Sequence, residues 1–224
     1  LRSVGVAVHS YKDHVIFERS EIVTGAGKPY SVFTPYKNAW LKKLEPSFLE
    51  PYPVAPHAGS LAPVAPDVAG LPLSLADLGF VPTHLPAMGI TAGSGAAQRL
   101  LDEFMHRIDA YEDTRNLPAV KGPSYLSVHL RFGTVSVREL ARAAWQRIQE
   151  RSDSAAIGAR TWLSELIWRD FYHQILHHHP HVVEACFKAE YDRIQWEQGP
   201  AADALFLAWC EGRTGYPLVD AAMA

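Results

Sequence analysis

The sequence predicts a mainly α protein in three parts, and three observations predict it. Short β-rich runs open the chain, nine of its sixteen prolines crowd into residues 46–90, and apolar residues at helical spacing dominate after Ile90. Proline lacks the amide donor and drives its predecessor away from helical geometry. Residues 46–90 therefore read as a long irregular connector, of the kind that links units or carries function. At 224 residues the chain can bury one sizeable core, or one core and part of a second.

Ahead of the connector, Val4-Gly5-Val6-Ala7-Val8 and Val15-Ile16-Phe17 read as short strands separated by polar Ser10 to His14. Thr34-Pro35 predicts a helix start, with Thr34 as cap and Pro35 in the first turn. Tyr36, Ala39, Trp40 and Leu44 then recur at helical spacing. Beyond Ile90, Ser94 is expected to cap a helix whose apolar face runs through Leu100, Leu101, Phe104, Ile108 and Tyr111. Gly93-Ser94-Gly95 lacks the third glycine and the preceding strand of a dinucleotide-binding loop. Ser136-x-x-Glu139 is a capping box for a helix with Val137, Leu140, Ala141, Ala144, Trp145 and Ile148 facing inward. A long helix is predicted over 156–178, stopped by Pro180, and a shorter one over 202–211, ended by Gly212. Tyr216-Pro217 starts a last helix carrying Leu218, Val219, Ala222 and Met223. So short a helix is marginal by itself. Together with the absent initiator Met ahead of Leu1-Arg2-Ser3, it predicts a piece of a longer protein.

Composition sets the class. Apolar residues make up 48% and charged residues 20%, ordinary values for a globular protein. No apolar run approaches the ~18 residues of a membrane span, and no basic stretch leads into a long apolar run as in a signal peptide. Cys186 and Cys210 form neither a disulfide framework nor a C-x-x-C. They are expected to be buried free thiols in a reducing compartment, which points to the cytoplasm. The net charge of −3 argues against nucleic-acid binding by bulk charge. Its distribution is uneven: residues 99–169 hold 11 basic side chains, ten of them Arg, whereas 170–224 hold 3 basic and 8 acidic. An Arg-rich middle suits phosphate contacts; the alternative is solvated helix faces paired with nearby carboxylates.

The densest chemistry lies in Thr161-Trp-Leu-Ser-Glu-Leu-Ile-Trp-Arg-Asp-Phe-Tyr172. On a helix, Trp162, Glu165, Arg169 and Tyr172 share one face, with Trp168 beside them. Burying an indole, a carboxylate, a guanidinium and a phenol together is costly unless the polar groups find partners. The competing reading is a Glu165–Arg169 ion pair one turn apart on an ordinary packed helix. Lys121-Gly-Pro-Ser-Tyr-Leu-Ser127, ahead of Val128 to Gly133, can present amides and hydroxyls to phosphate oxygens, or Ser124 can simply cap the helix that follows. His173 and His177 lie one turn apart, followed by His178, His179 and His181, but no carboxylate or third ligand stands at a diagnostic spacing. No metal site is expected; histidines in a last turn also complement the helix dipole.

Three long stretches, Tyr30-Ser-Val-Phe-Thr-Pro-Tyr-Lys-Asn-Ala-Trp40, Trp162 to Tyr172, and Glu211-Gly-Arg-Thr-Gly-Tyr-Pro-Leu-Val-Asp-Ala-Ala-Met223, resemble the DNA photolyase/cryptochrome family. Trp-x-x-Glu-Leu-Ile-Trp-Arg is most similar to the bacterial cyclobutane-pyrimidine-dimer enzymes. The resemblance implies that residues 1–45 end an amino-terminal α/β antenna domain, 46–90 connect, and 91–224 begin an all-helical FAD-binding domain. It implies light-driven repair of pyrimidine dimers in damaged DNA by electron transfer from reduced FAD, in a protein expected to be monomeric. A second antenna chromophore of folate or deazaflavin type is compatible with it; Gly25-Ala-Gly-Lys28 does not match an acidic folate contact.

By that resemblance, Glu165, Trp168 and Arg169 are the catalytic residues. Flavin contacts fall to Tyr111, Ser124, Tyr125, Leu126, Ser127, Trp162 and Arg169. Arg115, Glu165, Trp168 and Tyr172 would face DNA, and Trp196 would be the outer end of an electron-transfer chain. The turn departs from the common Gly-Thr-Ser-Arg-Leu-Ser: Pro123 removes a hydroxyl and an amide donor, and Tyr125 replaces a cation, so fewer flavin-phosphate contacts are expected. Residues 1–224 alone are expected neither to hold FAD stably nor to repair DNA. The alternatives are a cryptochrome photoreceptor signalling through partners, and an interaction fragment without cofactor.

Overall fold

The computed structural model describes residues 2–65, 74–152 and 154–223; Pro66 and Pro72 of the expected connector and the terminal Leu1 and Ala224 lie outside them. Among the described residues the regular elements are helical and no strand is present. They are α1 (Phe33–Lys43), α2 (Ser94–Met105), α3 (Tyr111–Thr114), α4 (Ser127–Phe132), α5 (Val137–Glu150), α6 (Ile157–His178), α7 (Pro200–Cys210) and α8 (Pro217–Met223), joined by short 3-10 turns.

The two expected strands are therefore corrected. Arg2–Val4 forms one 3-10 turn, and Val4, Val6 and Val8 are exposed. Val15, Ile16 and Phe17 are buried, but a side chain satisfies their backbone. The amides of Ile16 and Phe17 donate to one carboxylate oxygen of Asp170 on α6, at 3.1 and 3.2 Å. A segment whose donors are already paired this way has no need of a strand partner.

Two expected caps also move. α1 begins at Phe33 after extended Val32, with no side-chain cap, so Thr34 sits inside its first turn. Gly93, at φ 88°, precedes α2 and makes Ser94 its first residue. Ser136 does cap α5, its hydroxyl accepting from the Arg138 amide at 3.2 Å. α2 stops at Met105; the 3-10 turn Ile108–Ala110 and α3 then carry Ile108 and Tyr111 into the same core as Leu101 and Phe104.

α6 is the axis of that core. α1, α3, α5 and the Ile108–Ala110 turn all pack on it, and it buries Trp162, Leu163, Leu166, Ile167 and Phe171. Burying each such side chain is worth about 1.5–3 kcal/mol. Close approach depends on Gly158, where a Cβ would collide with the carbonyl oxygens of Ile108 and Asp109. Several arginines serve as staples rather than solvated charge. Arg138 is fully buried and donates to the carbonyls of Asp13 and Val15 at 3.1 and 3.2 Å. Arg147 grips Asp109 with two hydrogen bonds, of 2.8 and 2.5 Å. From Tyr52 to Gly95 every described residue is exposed, whereas Pro46–Leu49 belongs to the packed unit through buried Leu49 and through Phe48 against Phe17.

The chain divides into two compact units, Leu1–His178 and His179–Ala224. The second holds α7 and α8. Its Gly-Arg-Thr-Gly-Tyr-Pro stretch is a turn organised by Asp220, which accepts from the amide and hydroxyl of Thr214 at 2.7 and 2.6 Å and from the Gly215 amide at 3.0 Å. Gly212, at φ 64°, lies close to the Asp220 carbonyl, where a Cβ would not fit. The expected burial of the cysteines is overturned: Cys186 and Cys210 are free and exposed, because no described residue of this unit is buried.

Candidate functional site

One face of α6 and the turn ahead of α4 enclose a cavity of about 290 Å³, lined by Tyr111, Pro123, Ser124, Tyr125, Leu126, Ser127, Leu130, Leu140, Trp162, Glu165, Leu166 and Arg169. Its floor is apolar. Trp162 is buried against Phe104 at 4.7 Å between centroids, and Phe104 meets Tyr111 edge-on at 5.7 Å. Burial raises the Tyr111 phenol above its usual range, with Arg115 opposing. The rim is polar, carrying the hydroxyls of Ser124 and Ser127, the Glu165 carboxylate and the Arg169 guanidinium.

The turn is held tightly. Gly122 lies so close to α3 that a Cβ would stand 2.5 Å from the Thr114 carbonyl oxygen. Arg107 donates to the carbonyls of Gly122 and Pro123, both at 2.8 Å. Tyr125 sits at φ 58°, a left-handed conformation rare for a side chain of its size, and is half exposed. Ser124 is not the cap of α4: Leu126 precedes that helix, and the Ser124 hydroxyl accepts only a long bond from the Leu126 amide, at 3.4 Å.

The i,i+4 pair considered for Glu165 and Arg169 is not formed. Glu165 instead accepts from Arg115 of the α3 end at 2.6 Å, and the Arg115 guanidinium covers the Tyr111 ring at 5.3 Å. Arg169 donates to the His14 carbonyl; burial lowers its pKa, with Asp170 opposing. Glu165 also borders a second, more polar hollow of about 440 Å³, where Lys37, Arg115 and Arg160 meet Glu112, Thr161 and Ser164. Trp168 and Tyr172 line neither hollow. Trp168 is half-buried and lies flat on Phe33 of α1, centroids 3.6 Å apart and planes 8° apart, with Tyr172 stacked at 5.4 Å.

Asp170, which the sequence reading passed over, ties the first and second motifs together. Beyond the two amides above, its Oδ2 accepts from the Trp40 indole at 3.0 Å, while Oδ1 is buried without a partner. Burial pushes its pKa up to about 6, the hydrogen bonds from Trp40, Phe17 and Ile16 opposing. The signal available was a lone carboxylate between Leu166, Ile167 and Phe171, on a face that must be dry. His173 and His177 border a third hollow of about 240 Å³ with His14 and Gln174; no group of three or more His, Cys, Asp or Glu side chains among the described residues could hold a metal. No described helix is long and apolar enough to cross a membrane. Trp196, in the second unit, is 75% exposed.

An aromatic floor under a rim of hydroxyls thus lies beside a second hollow lined by Lys37, Arg115, Arg160 and Glu112, and Glu165 borders both. Residues 162–224 match the family model described as the FAD binding domain of DNA photolyase, and residues 1–57 the one described as DNA photolyase. The deoxyribodipyrimidine photo-lyases of Halobacterium salinarum and Synechococcus are 38% and 35% identical over all of this chain and 45% and 46% of their own length. That of Escherichia coli is 35% identical over 97% of this chain and 44% of its own. The crystal structure of a bacterial class III photolyase from Agrobacterium tumefaciens superposes with a TM-score of 0.78 at 30% identity, over 99% of this chain and 45% of that one. The chain belongs to the DNA photolyase family, and spans a little under half the length of these relatives.

Proposed function

We propose that this chain carries part of the FAD site and part of the damaged-DNA site of a light-driven deoxyribodipyrimidine photo-lyase. In this reading residues 1–45 end an antenna domain, 46–90 connect, and 91–224 belong to the flavin domain. The observation that carries it is that Glu165 borders both hollows, so a flavin in one and a base in the other would share a wall residue. Electron transfer between two bound groups needs a short path.

The donor set fits FAD. Trp162, Leu126 and Leu166 offer the apolar wall that a flavin ring needs, while Ser124, Ser127 and the Tyr111 hydroxyl suit a pyrophosphate. When bound, reduced FAD supplies the photo-excited electron and recovers it. Arg169 holds a fixed positive charge beside the cleft, favouring an anionic flavin. With Pro123 and Tyr125 in the turn, hydroxyls rather than a cation would hold the phosphates, with the Tyr125 and Leu126 backbone shaping that wall of the hollow. Photolyases extrude their target nucleotide from the duplex. Glu165 would then meet a pyrimidine edge, Arg115 a phosphate, and Trp168 with Tyr172 the faces of bases. Trp196 would relay electrons from the surface.

The reading includes a monomeric cytoplasmic protein and, as a finer point, a folate- or deazaflavin-type antenna pigment. The names of the relatives favour repair over signalling. Repair of dimer-containing oligonucleotide under blue light by the flavin-loaded full-length protein that contains residues 1–224 tests it. Trp168→Ala should weaken dimer binding roughly 5- to 150-fold, the range for loss of one base stack, and Glu165→Ala should slow repair at saturating substrate. Unchanged affinity and rate in both variants would remove the site assignment.

A further inference from the structure

Phe33, the first residue of α1, has no role in the reading above, yet it makes the closest aromatic contact at Trp168. The two rings are nearly parallel, 8° apart, with centroids at 3.6 Å. Carbon atoms meet at about 3.5–4.0 Å, so lateral offset is small and the indole has no room to tilt toward α1. Face-to-face stacking with little offset is not the usual choice of an aromatic pair, and the Phe33 ring has further neighbours. Phe171 meets Phe33 at 5.8 Å and 66°, and the Lys37 ammonium lies over the same ring at 5.8 Å. Phe33 itself is half-buried and packs on the main core.

The other stacked neighbour of the indole differs. Tyr172 lies at 5.4 Å and 22° from Trp168, is 60% exposed, and has aromatic contacts only with Trp168 and Phe171 of its own helix. One leaf against Trp168 is anchored through α1 to the core, while the other is a surface side chain free to yield.

We propose that Phe33 is a positioning residue for Trp168: it fixes the indole in one plane, so that the face opposite α1 is presented, already ordered, to a base of the damaged strand. This rests on the DNA-facing role given to Trp168 above. An indole that must be ordered during binding gives back part of its stacking gain, so loss of Phe33 should cost part, not all, of what loss of Trp168 costs.

The test is a double-mutant cycle on the flavin-loaded full-length protein that contains residues 1–224, with affinity for an oligonucleotide carrying one thymine dimer and for its undamaged counterpart measured by fluorescence anisotropy. Phe33→Leu, and Phe33→Met as a second variant that fills the space without a ring, should weaken dimer binding about three- to tenfold. Neither should weaken it further once Trp168→Ala is present. Phe33→Tyr should restore affinity to within about twofold. Without DNA, the near-ultraviolet circular dichroism attributable to Trp168 (its difference from Trp168→Ala) should fall by at least half in Phe33→Leu and persist in Phe33→Tyr. A dimer preference that survives both non-aromatic variants, or losses that add to that of Trp168→Ala, overturns this inference alone. A starting protein with no dimer preference overturns the site reading and this inference with it.

Discussion

The two compact units of the chain form helices equally well and bury side chains very unequally. Every buried residue among those described lies between Val15 and Gln174, in the first unit. In the second, α7 shows Leu205, Phe206, Leu207 and Trp209 at 64, 64, 53 and 44% exposure. The bonding differs in the same way. Asp170 joins α6 to residues more than 120 positions away, whereas no side-chain hydrogen bond described in the second unit spans more than six. Local signals such as Pro200 in a first turn and Gly212 after a last one set helices without any core. What they cannot do is give those helices cooperative stability, which comes from packing an apolar face. The candidate site accordingly lies where long-range contacts fix side chains, along α6.

The sharpest way to break this contrast is to remove the same side chain from each unit. Phe104 is fully buried and Phe206 is 64% exposed. Phe104→Ala should lower unfolding stability by about 3–5 kcal/mol through loss of burial and an unfilled cavity. Phe206→Ala should change it by less than about 0.5 kcal/mol. Urea unfolding of the two variants, followed by far-ultraviolet circular dichroism, measures both. Equal losses would show that the second unit shares the core of the first.

Asp170 sharpens the comparison through pH. Its folded-state pKa of about 6 lies above the ordinary 3.8, so between those values the folded protein holds a proton that the unfolded chain releases. That contribution is fully present below about pH 4 and is lost as pH rises through about 6. Its size is about 2–3 kcal/mol at 1.36 kcal/mol per pKa unit. Asp109 and Glu21 act in the opposite direction, because their pKa values are lowered. The measurement is therefore the difference between the protein and Asp170→Asn, which cannot titrate but keeps an acceptor for Ile16, Phe17 and Trp40. Stability relative to Asp170→Asn should fall between pH 4 and 6.5; a constant difference would mean that Asp170 is already ionised at pH 4.

Much of this was readable from spacing, and what was not shares one cause. The C-terminal end of α6 and, to within one residue, that of α7 followed from Pro180 and Gly212, and the α5 cap from Ser136, because these signals act within a few residues. Helical geometry placed Trp162, Glu165, Arg169 and Tyr172 on one face; the first three line one cavity and Tyr172 does not. The turn of Trp168 onto Phe33 was invisible, since α1 lies on the far side of the connector. Asp170 escaped notice because an aspartate in a sequence looks like surface charge until three donors are seen around it. Val15 to Phe17 looked like a strand for the same reason: β-branched and aromatic residues signal a half-buried extended backbone, and a carboxylate supplied the acceptor a neighbouring strand would have given. Cys186 and Cys210 were expected inside on the habit of the thiol, which presupposes an inside.

The smallest effect separates caps that act on a core from caps that act only on their own turn. Ser136 closes the first turn of α5, a helix locked to α6 by Leu140, Ala141 and Ala144. Fraying there loosens packed side chains, so Ser136→Ala should cost about 1 kcal/mol of global stability. Thr214 does comparable work ahead of α8, bonding Asp220 through both amide and hydroxyl. That helix buries nothing. Thr214→Val should therefore unwind α8, visible as loss of helical carbon chemical shifts over 217–223, while the urea midpoint of the first unit stays unchanged. A midpoint shift as large as that of Ser136→Ala would mean that α8 is coupled to the core, and that local bonding is a poor guide to which unit holds the fold together.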